Sequence, residues 1–152
     1  MMRSAVLSAD ELERLLAKEF PEAFNADSGL AILDVWHGGA RVRQSIGKNA
    51  TRPGGTVSGP TIMTLADVGI YVAILASIGW VPLAVTTNLN INFFKKPAPG
   101  ALVAESRLLK VGKRLAVGEA AIRREGEEDL VAHATSTYSI PPRDKRVFPP
   151  SS

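Results

Sequence analysis

Pro60-Thr-Ile-Met-Thr-Leu-Ala-Asp-Val-Gly-Ile-Tyr-Val-Ala-Ile-Leu-Ala-Ser-Ile78 is the one long helical pattern in the chain. Pro60 suits the first helical position, where its missing N–H would have no partner anyway. Gly79 is a natural stop, and Pro82 lies just beyond it. Between these marks the pattern is apolar nearly all round: Ile62, Met63, Leu65, Ala66, Val68, Ile70, Val72, Ala73, Ile74 and Leu75. Such a helix either spans a membrane or is buried in a core. A span needs about 20 apolar residues. This stretch carries Asp67 near its middle, together with Thr61, Thr64 and Gly69. The reading is a buried helix of a soluble domain.

Downstream, the apolar period switches to two. In Val85 to Phe93 the residues Val85, Leu89, Ile91 and Phe93 form a predicted dry face, with Thr86, Asn88, Asn90 and Asn92 on the polar one. Ala101 to Val111, Leu115 to Arg123 and Leu130 to Ile140 read as three further strands. The connections at Pro97 to Gly100, Gly112-Lys113 and Gly126 to Asp129 are short, which makes neighbours antiparallel. Upstream, Leu30 to Trp36 and Ala40 to Ile46 form a hairpin about Gly38-Gly39, and Lys48 to Gly59 is a loop. Ser8 to Phe20 is a short amphipathic helix with Ser8 as N-cap, Glu11 at capping-box spacing and Pro21 at its end. The order is helix, two strands, long buried helix, four strands. This predicts an α+β fold in which one antiparallel sheet wraps around one central helix, the hotdog arrangement, with an N-terminal helix across one end. Exposed edge strands and a partly uncovered helix predict pairing with a second copy. The domain is expected over 1–141, with a loosely ordered Pro-rich tail over 142–152.

The chain has 152 residues, no cysteine, and 18 basic against 15 acidic residues. Disulfides and thiolate metal sites are excluded, and no secretory leader pattern opens the chain, so a cytoplasmic protein is expected. The mild net charge of +3 gives little reason to expect nucleic acid and suits a small anionic ligand. His37 and His133 have no metal-ligand spacing, and no dinucleotide, Walker, zinc-protease or serine-hydrolase motif is present.

The chemistry concentrates in Arg52-Pro-Gly-Gly-Thr-Val-Ser-Gly-Pro-Thr-Ile-Met-Thr-Leu-Ala-Asp67. A carboxylate inside an apolar helix is costly unless it is paired. Met63, Thr64, Ile70 and Tyr71 occupy the positions three and four residues away, so no local cation explains it. An acid held in a dry concave place often has a task. The bland alternative is a hydrogen bond to a backbone amide or to a hydroxyl such as Thr64. The helix start at Gly59-Pro60 offers free N–H groups and a partial positive charge, which suit a developing oxyanion. Gly59 and Asp67 stand about 12 Å apart along a straight helix. A single subunit therefore looks incomplete, and an antiparallel second copy could supply the missing half.

These segments resemble the PaaI-like acyl-CoA thioesterases of the hotdog superfamily. The family helix opens Gly-Thr-Val-His-Gly-Gly and reaches Leu-Ala-Asp at the spacing of Gly55-Thr56-Val57-Ser58-Gly59-Pro60 and Leu65-Ala66-Asp67. A family strand of the type Val-Thr-Val-Asp-Leu-Asn-Val-Asn-Phe is similar to Val85 to Phe93, and the closing strand is similar to Leu130 to Tyr138. The resemblance spans about Leu30 to Pro141. It implies hydrolysis of an acyl-CoA thioester without metal or cofactor. Asp67 would act as general base or nucleophile, the Gly59 N–H would polarise the carbonyl across a dimer interface, and Thr86 would help hold the water. It also implies substrate contacts from Ser58, Arg52 and Asn88, and CoA phosphate contacts from Lys113 and Arg114, with Lys95, Lys96 and Lys110 nearby.

Ser58 stands where the family has His, Pro60 replaces a Gly and cannot donate, and Arg52 stands where some members have Asn. A non-hydrolytic acyl-CoA or lipid-binding protein is the alternative reading. A hydratase ranks lowest, because no His lies near Gly59 or Asp67 in the sequence.

Overall fold

The computed structural model describes residues 4–47 and 51–142. Eight elements follow in chain order: α1 (Ala9–Glu19), β1 (Leu30–Trp36), β2 (Gly39–Ile46), α2 (Gly59–Ile78), β3 (Val85–Phe93), β4 (Gly100–Val111), β5 (Leu115–Arg124) and β6 (Leu130–Ser139). Most of the tail expected over 142–152 lies outside the described residues, as do 48–50 of the loop before α2.

The central helix dictates the rest. By length and composition α2 could cross a membrane, but 72% of its most apolar window is buried inside the molecule. Its cover is a six-stranded antiparallel sheet in the order β1-β2-β4-β5-β6-β3, so β3 leaves α2 and joins the far edge beside β6. This is the α+β hotdog arrangement read from the sequence. The sheet can close on a bulky helix because the inner face of β4, β5 and β6 is small. Ala104, Ser106, Ala116, Ala120, Ala132, Ala134 and Ser136 are all buried there, while Ile62, Leu65, Ile70, Ile74 and Leu75 of α2 supply the volume.

At Gly69 the helix lies tight against β4. A Cβ added there would stand 2.6 Å from Ser106 Oγ and 3.2 Å from Ala104 Cβ. At the other end of α2, Ser77 Oγ donates to Ala73 O and accepts from the Gly38 N–H, both at 2.7 Å, which ties the β1–β2 turn to the helix. Helix α1 forms as predicted: Ser8 and Glu11 complete a capping box, and Leu12, Leu15 and Leu16 are buried. It packs on β1 and α2, and the Val6 N–H donates to Ala76 O just before it.

The alternation predicted along β3 is only half correct. Thr86 lies opposite Tyr138, but the next paired residue, Asn88, lies opposite Thr137, so Thr87 is an extra residue in the ladder. A bulge of this kind inverts the facing of everything beyond it. Thr86 therefore shares the inner side with Leu89 and Ile91, opposite the buried Tyr138, Ser136 and Ala134. Val85, expected on the dry face, points outward and is 58% exposed.

Replacement of Gly69 by Val is expected to lower stability by about 1–3 kcal/mol, the usual cost of overpacking a close contact. Urea denaturation would read it as a lower midpoint at unchanged slope, and Ser106→Ala in the same chain should recover part of the loss.

Candidate active site

Asp67 is half-buried, on the one stripe of α2 that the sheet leaves open. Pro60, Met63, Thr64 and Asp67 recur at the spacing of a helical face, and none of them is fully buried. The residues flanking this stripe, Ile62, Leu65, Ala66 and Val68, are buried. The acid thus sits at a seam between α2 and the β3–β6 pair, with apolar packing beneath it.

The carboxylate is held by two hydroxyls. Thr86 Oγ1 donates to Asp67 Oδ1 at 2.8 Å, and the Tyr138 phenol donates to the same oxygen at 2.6 Å. The Tyr138 oxygen is also 2.9 Å from the Asp67 backbone carbonyl. The bulge at Thr87 aims Thr86, and strand alternation on β6 aims Tyr138. Tyr138 is 2% exposed and stacks on Tyr71 at 6.1 Å between ring centroids; the Tyr71 hydroxyl donates to Pro82 O. Burial, and then the neighbouring Asp67, push the Tyr138 phenol far above its ordinary range, so it keeps its proton and remains a donor. Burial alone raises Tyr71 to about 12.

Thr64 is not the partner of the acid, since its hydroxyl donates to Pro60 O at 3.0 Å. Among the described residues, no side chain donates to Asp67 Oδ2. That oxygen is available to a water or a substrate.

The helix start stands apart from the acid. Ser58 is the N-cap: its Oγ lies 3.4 Å from the Thr61 N–H and 2.7 Å from Thr61 Oγ1. Gly59 is thereby the first helical residue and Pro60 the second, one position later than expected. The loop that delivers them is pinned by the Val57 N–H to Pro97 O at 2.8 Å and by a tight turn in which the Gly55 N–H donates to Arg52 O. Among the described residues, none accepts from the Gly59 N–H. The Phe93 ring lies beside Gly59, 3.5 Å from where a Cβ would be.

Of the residues singled out from sequence, Thr86 meets Asp67. Gly59 does not, being eight residues and about 12 Å of helix away. Arg52 is exposed at its turn. Asn88 lies beyond the bulge on the outer face, so it and Thr86 are separated rather than adjacent on one side. Lys113 and Arg114 are exposed in the β4–β5 turn, two residues or so along β5 from Ala116, which pairs with Tyr138. Lys95 is engaged with Asp129 at 2.8 Å. The sequence reading places Tyr138 in the closing strand and assigns its hydroxyl no partner. Inward alternation with Ala132, Ala134 and Ser136 was a usable signal, because a buried phenol needs an acceptor.

A sequence profile of the thioesterase superfamily matches residues 54–131, which span α2 and strands β3, β4 and β5. The chain belongs to the thioesterase superfamily. A candidate esterase of Saccharolobus solfataricus is 30% identical over 89% of this chain and 87% of its own length. Among solved structures, a candidate thioesterase of Silicibacter sp. TM1040 is 40% identical, with a TM-score of 0.81 over 93% of this chain and 97% of that one. The PaaI protein of the E. coli phenylacetic acid degradation operon shares the fold, at 19% identity and a TM-score of 0.75 over 87% and 92% of the two chains. Thioester hydrolysis is the chemistry to which this thioesterase-superfamily chain belongs.

His133 is on the outer face of the sheet, away from Asp67, as the partner of Glu119 at 2.8 Å; Arg107 reaches the other Glu119 oxygen at 2.6 Å. Arg107 first, and then His133, hold the Glu119 carboxyl below its ordinary 4.5. A depressed carboxyl contributes stability that is present above the unfolded value and lost as pH falls through the folded one. Acid unfolding below about pH 4.5 should therefore be less steep in Glu119→Gln than in the parent chain, as followed by circular dichroism.

Proposed function

We propose that this chain hydrolyses acyl-CoA thioesters in a site shared between two copies. The observation that carries the reading is the Asp67 carboxylate, fixed at Oδ1 and open at Oδ2, on the uncovered stripe of a buried helix. Acting as base, Asp67 takes a proton from water, whose oxygen attacks the thioester carbon. The oxyanion so formed meets the Gly59 N–H of the second copy, and collapse expels the CoA thiolate. Acting as nucleophile, the carboxylate attacks the same carbon directly and expels the CoA thiolate to leave a mixed anhydride, which water then hydrolyses to the free acid and the Asp67 carboxylate. A thiolate leaves readily, so one acid and one oxyanion donor suffice. Thr86 still has lone pairs free to accept from the attacking water while donating to Asp67.

Two further features support the shared arrangement. Among the described residues β3 is an edge strand whose outer N–H and C=O groups have no sheet neighbour, and it walls the site through Thr86. The Gly59 N–H has no acceptor among the described residues, although it stands too far along α2 to serve its own Asp67. Lys113 and Arg114 are exposed at the end of the sheet where Thr86 and Tyr138 lie, which supports a role in meeting the phosphates of CoA. The relatives from Silicibacter and Saccharolobus, described as a thioesterase and an esterase, favour the same chemistry.

A panel of acyl-CoA thioesters, followed by free thiol release, tests the reading. The parent chain should turn over at least one member, and Asp67→Ala should lose about a hundredfold or more in kcat, the scale of removing a catalytic acid–base group. Light scattering should find a dimer or a multiple of it. Tight acyl-CoA binding with no turnover by either protein would instead make this a binding protein.

A further inference from the structure

We propose that Tyr138 is a positioning residue which, with Thr86, clamps Asp67 through Oδ1 and leaves Oδ2 as the oxygen that reacts. The inference rests on the thioesterase reading above for its purpose, while the clamp itself rests on geometry. Two neutral donors from adjacent strands, β3 and β6, converge on one carboxylate oxygen at 2.8 and 2.6 Å. Had the Tyr138 phenol merely needed an acceptor, the Asp67 main-chain carbonyl at 2.9 Å would have been enough. The shorter contact goes to the side chain.

The tyrosine cannot readily swing away. Its ring is buried, stacked on Tyr71, and Tyr71 is anchored in turn by its bond to Pro82 O. The threonine is equally fixed, because the extra residue at Thr87 turns it inward and ladder pairing on both sides of the bulge holds it there. Clamping one oxygen restricts the carboxylate plane to the orientation set by two strands. It directs Oδ2 toward the open stripe of α2, where a water or thioester would arrive. The donors are hydroxyls rather than cations, so they orient the acid without neutralising it. Neither gives up its proton in the working range, the phenol because it is buried beside the acid.

The test uses the full chain as Tyr138→Phe, with Thr86→Val as a second clamp variant and Ser77→Ala as a control. Ser77 is a buried hydroxyl at the opposite end of α2, bonded to Gly38 and Ala73. Two quantities are followed: the pH profile of kcat/KM on an acyl-CoA that the parent hydrolyses, and the titration of the Asp67 side-chain carboxyl by carbon-13 NMR. Removing a donor favours the protonated acid, so in Tyr138→Phe both the acidic limb and the carboxyl titration should move up by about one pH unit, the scale of one hydrogen bond to a charged group. Thr86→Val should move them in the same direction. In Tyr138→Phe kcat should fall about tenfold while KM changes less than about threefold, since positioning acts on the transition state. Ser77→Ala should lower thermal stability and move neither titration. Titrations of Tyr138→Phe and Thr86→Val that coincide with the parent's would overturn the clamp, whatever happens to stability. If the parent chain hydrolyses no acyl-CoA, the proposed function fails, and the carboxyl titration alone still decides the clamp. Should Tyr138→Phe not fold, Thr86→Val carries the test.

Discussion

A helix with no polar face has to be enclosed, and the rest of this structure follows from that requirement. No single flat layer can cover α2, so the sheet curves around it and lines its concave side with alanine, serine and glycine. The match is between large residues on the helix and small ones on the strands. The close approach of Gly69 to Ser106 is one tight point of that match. Enclosure is nevertheless incomplete along the first half of α2, where Pro60, Met63, Thr64 and Asp67 remain accessible beside the edge strand. The candidate site lies where the wrapping stops.

The acid at this seam is held differently from the ion-paired carboxylates elsewhere in the chain. Three other carboxylates in this chain are paired with cations, Glu119 with Arg107, Asp129 with Lys95 and Glu125 with Arg43, and Glu11 accepts from the Ser8 backbone. Asp67 has two hydroxyls instead. A cation would hold the acid more strongly but would also quench the charge that chemistry needs. Hydroxyl donors fix its direction without setting a positive charge beside it.

The sequence was most legible where one physical demand governed many residues. The all-round apolar run from Pro60 to Ile78 announced both the buried helix and the wrapped sheet, and the Ser8–Glu11 box announced α1. Asp67 was legible as an anomaly, since nothing three or four residues away could pair with it. What failed was local register. Thr86-Thr87-Asn88 is a run of three polar residues, and nothing in it marks which one is the bulge, so Asn88 was grouped with Thr86 and Val85 with Leu89. The phenol of Tyr138 was overlooked because an aromatic on a closing strand is most simply read as core. Its burial was foreseeable, but its acceptor is 71 residues away in sequence, and only the fold brings the two together.

The extra residue at Thr87 divides β3 into two stretches of opposite parity. Beyond it, Leu89 and Ile91 take part in packing the core; before it, Thr86 attends the acid. The division makes the site modular. The identity and reach of the group at position 86 can drift without disturbing the packing of the strand behind it. A lineage built on this scaffold can therefore retune its acid by editing a few residues of one strand while the enclosed helix stays as it is.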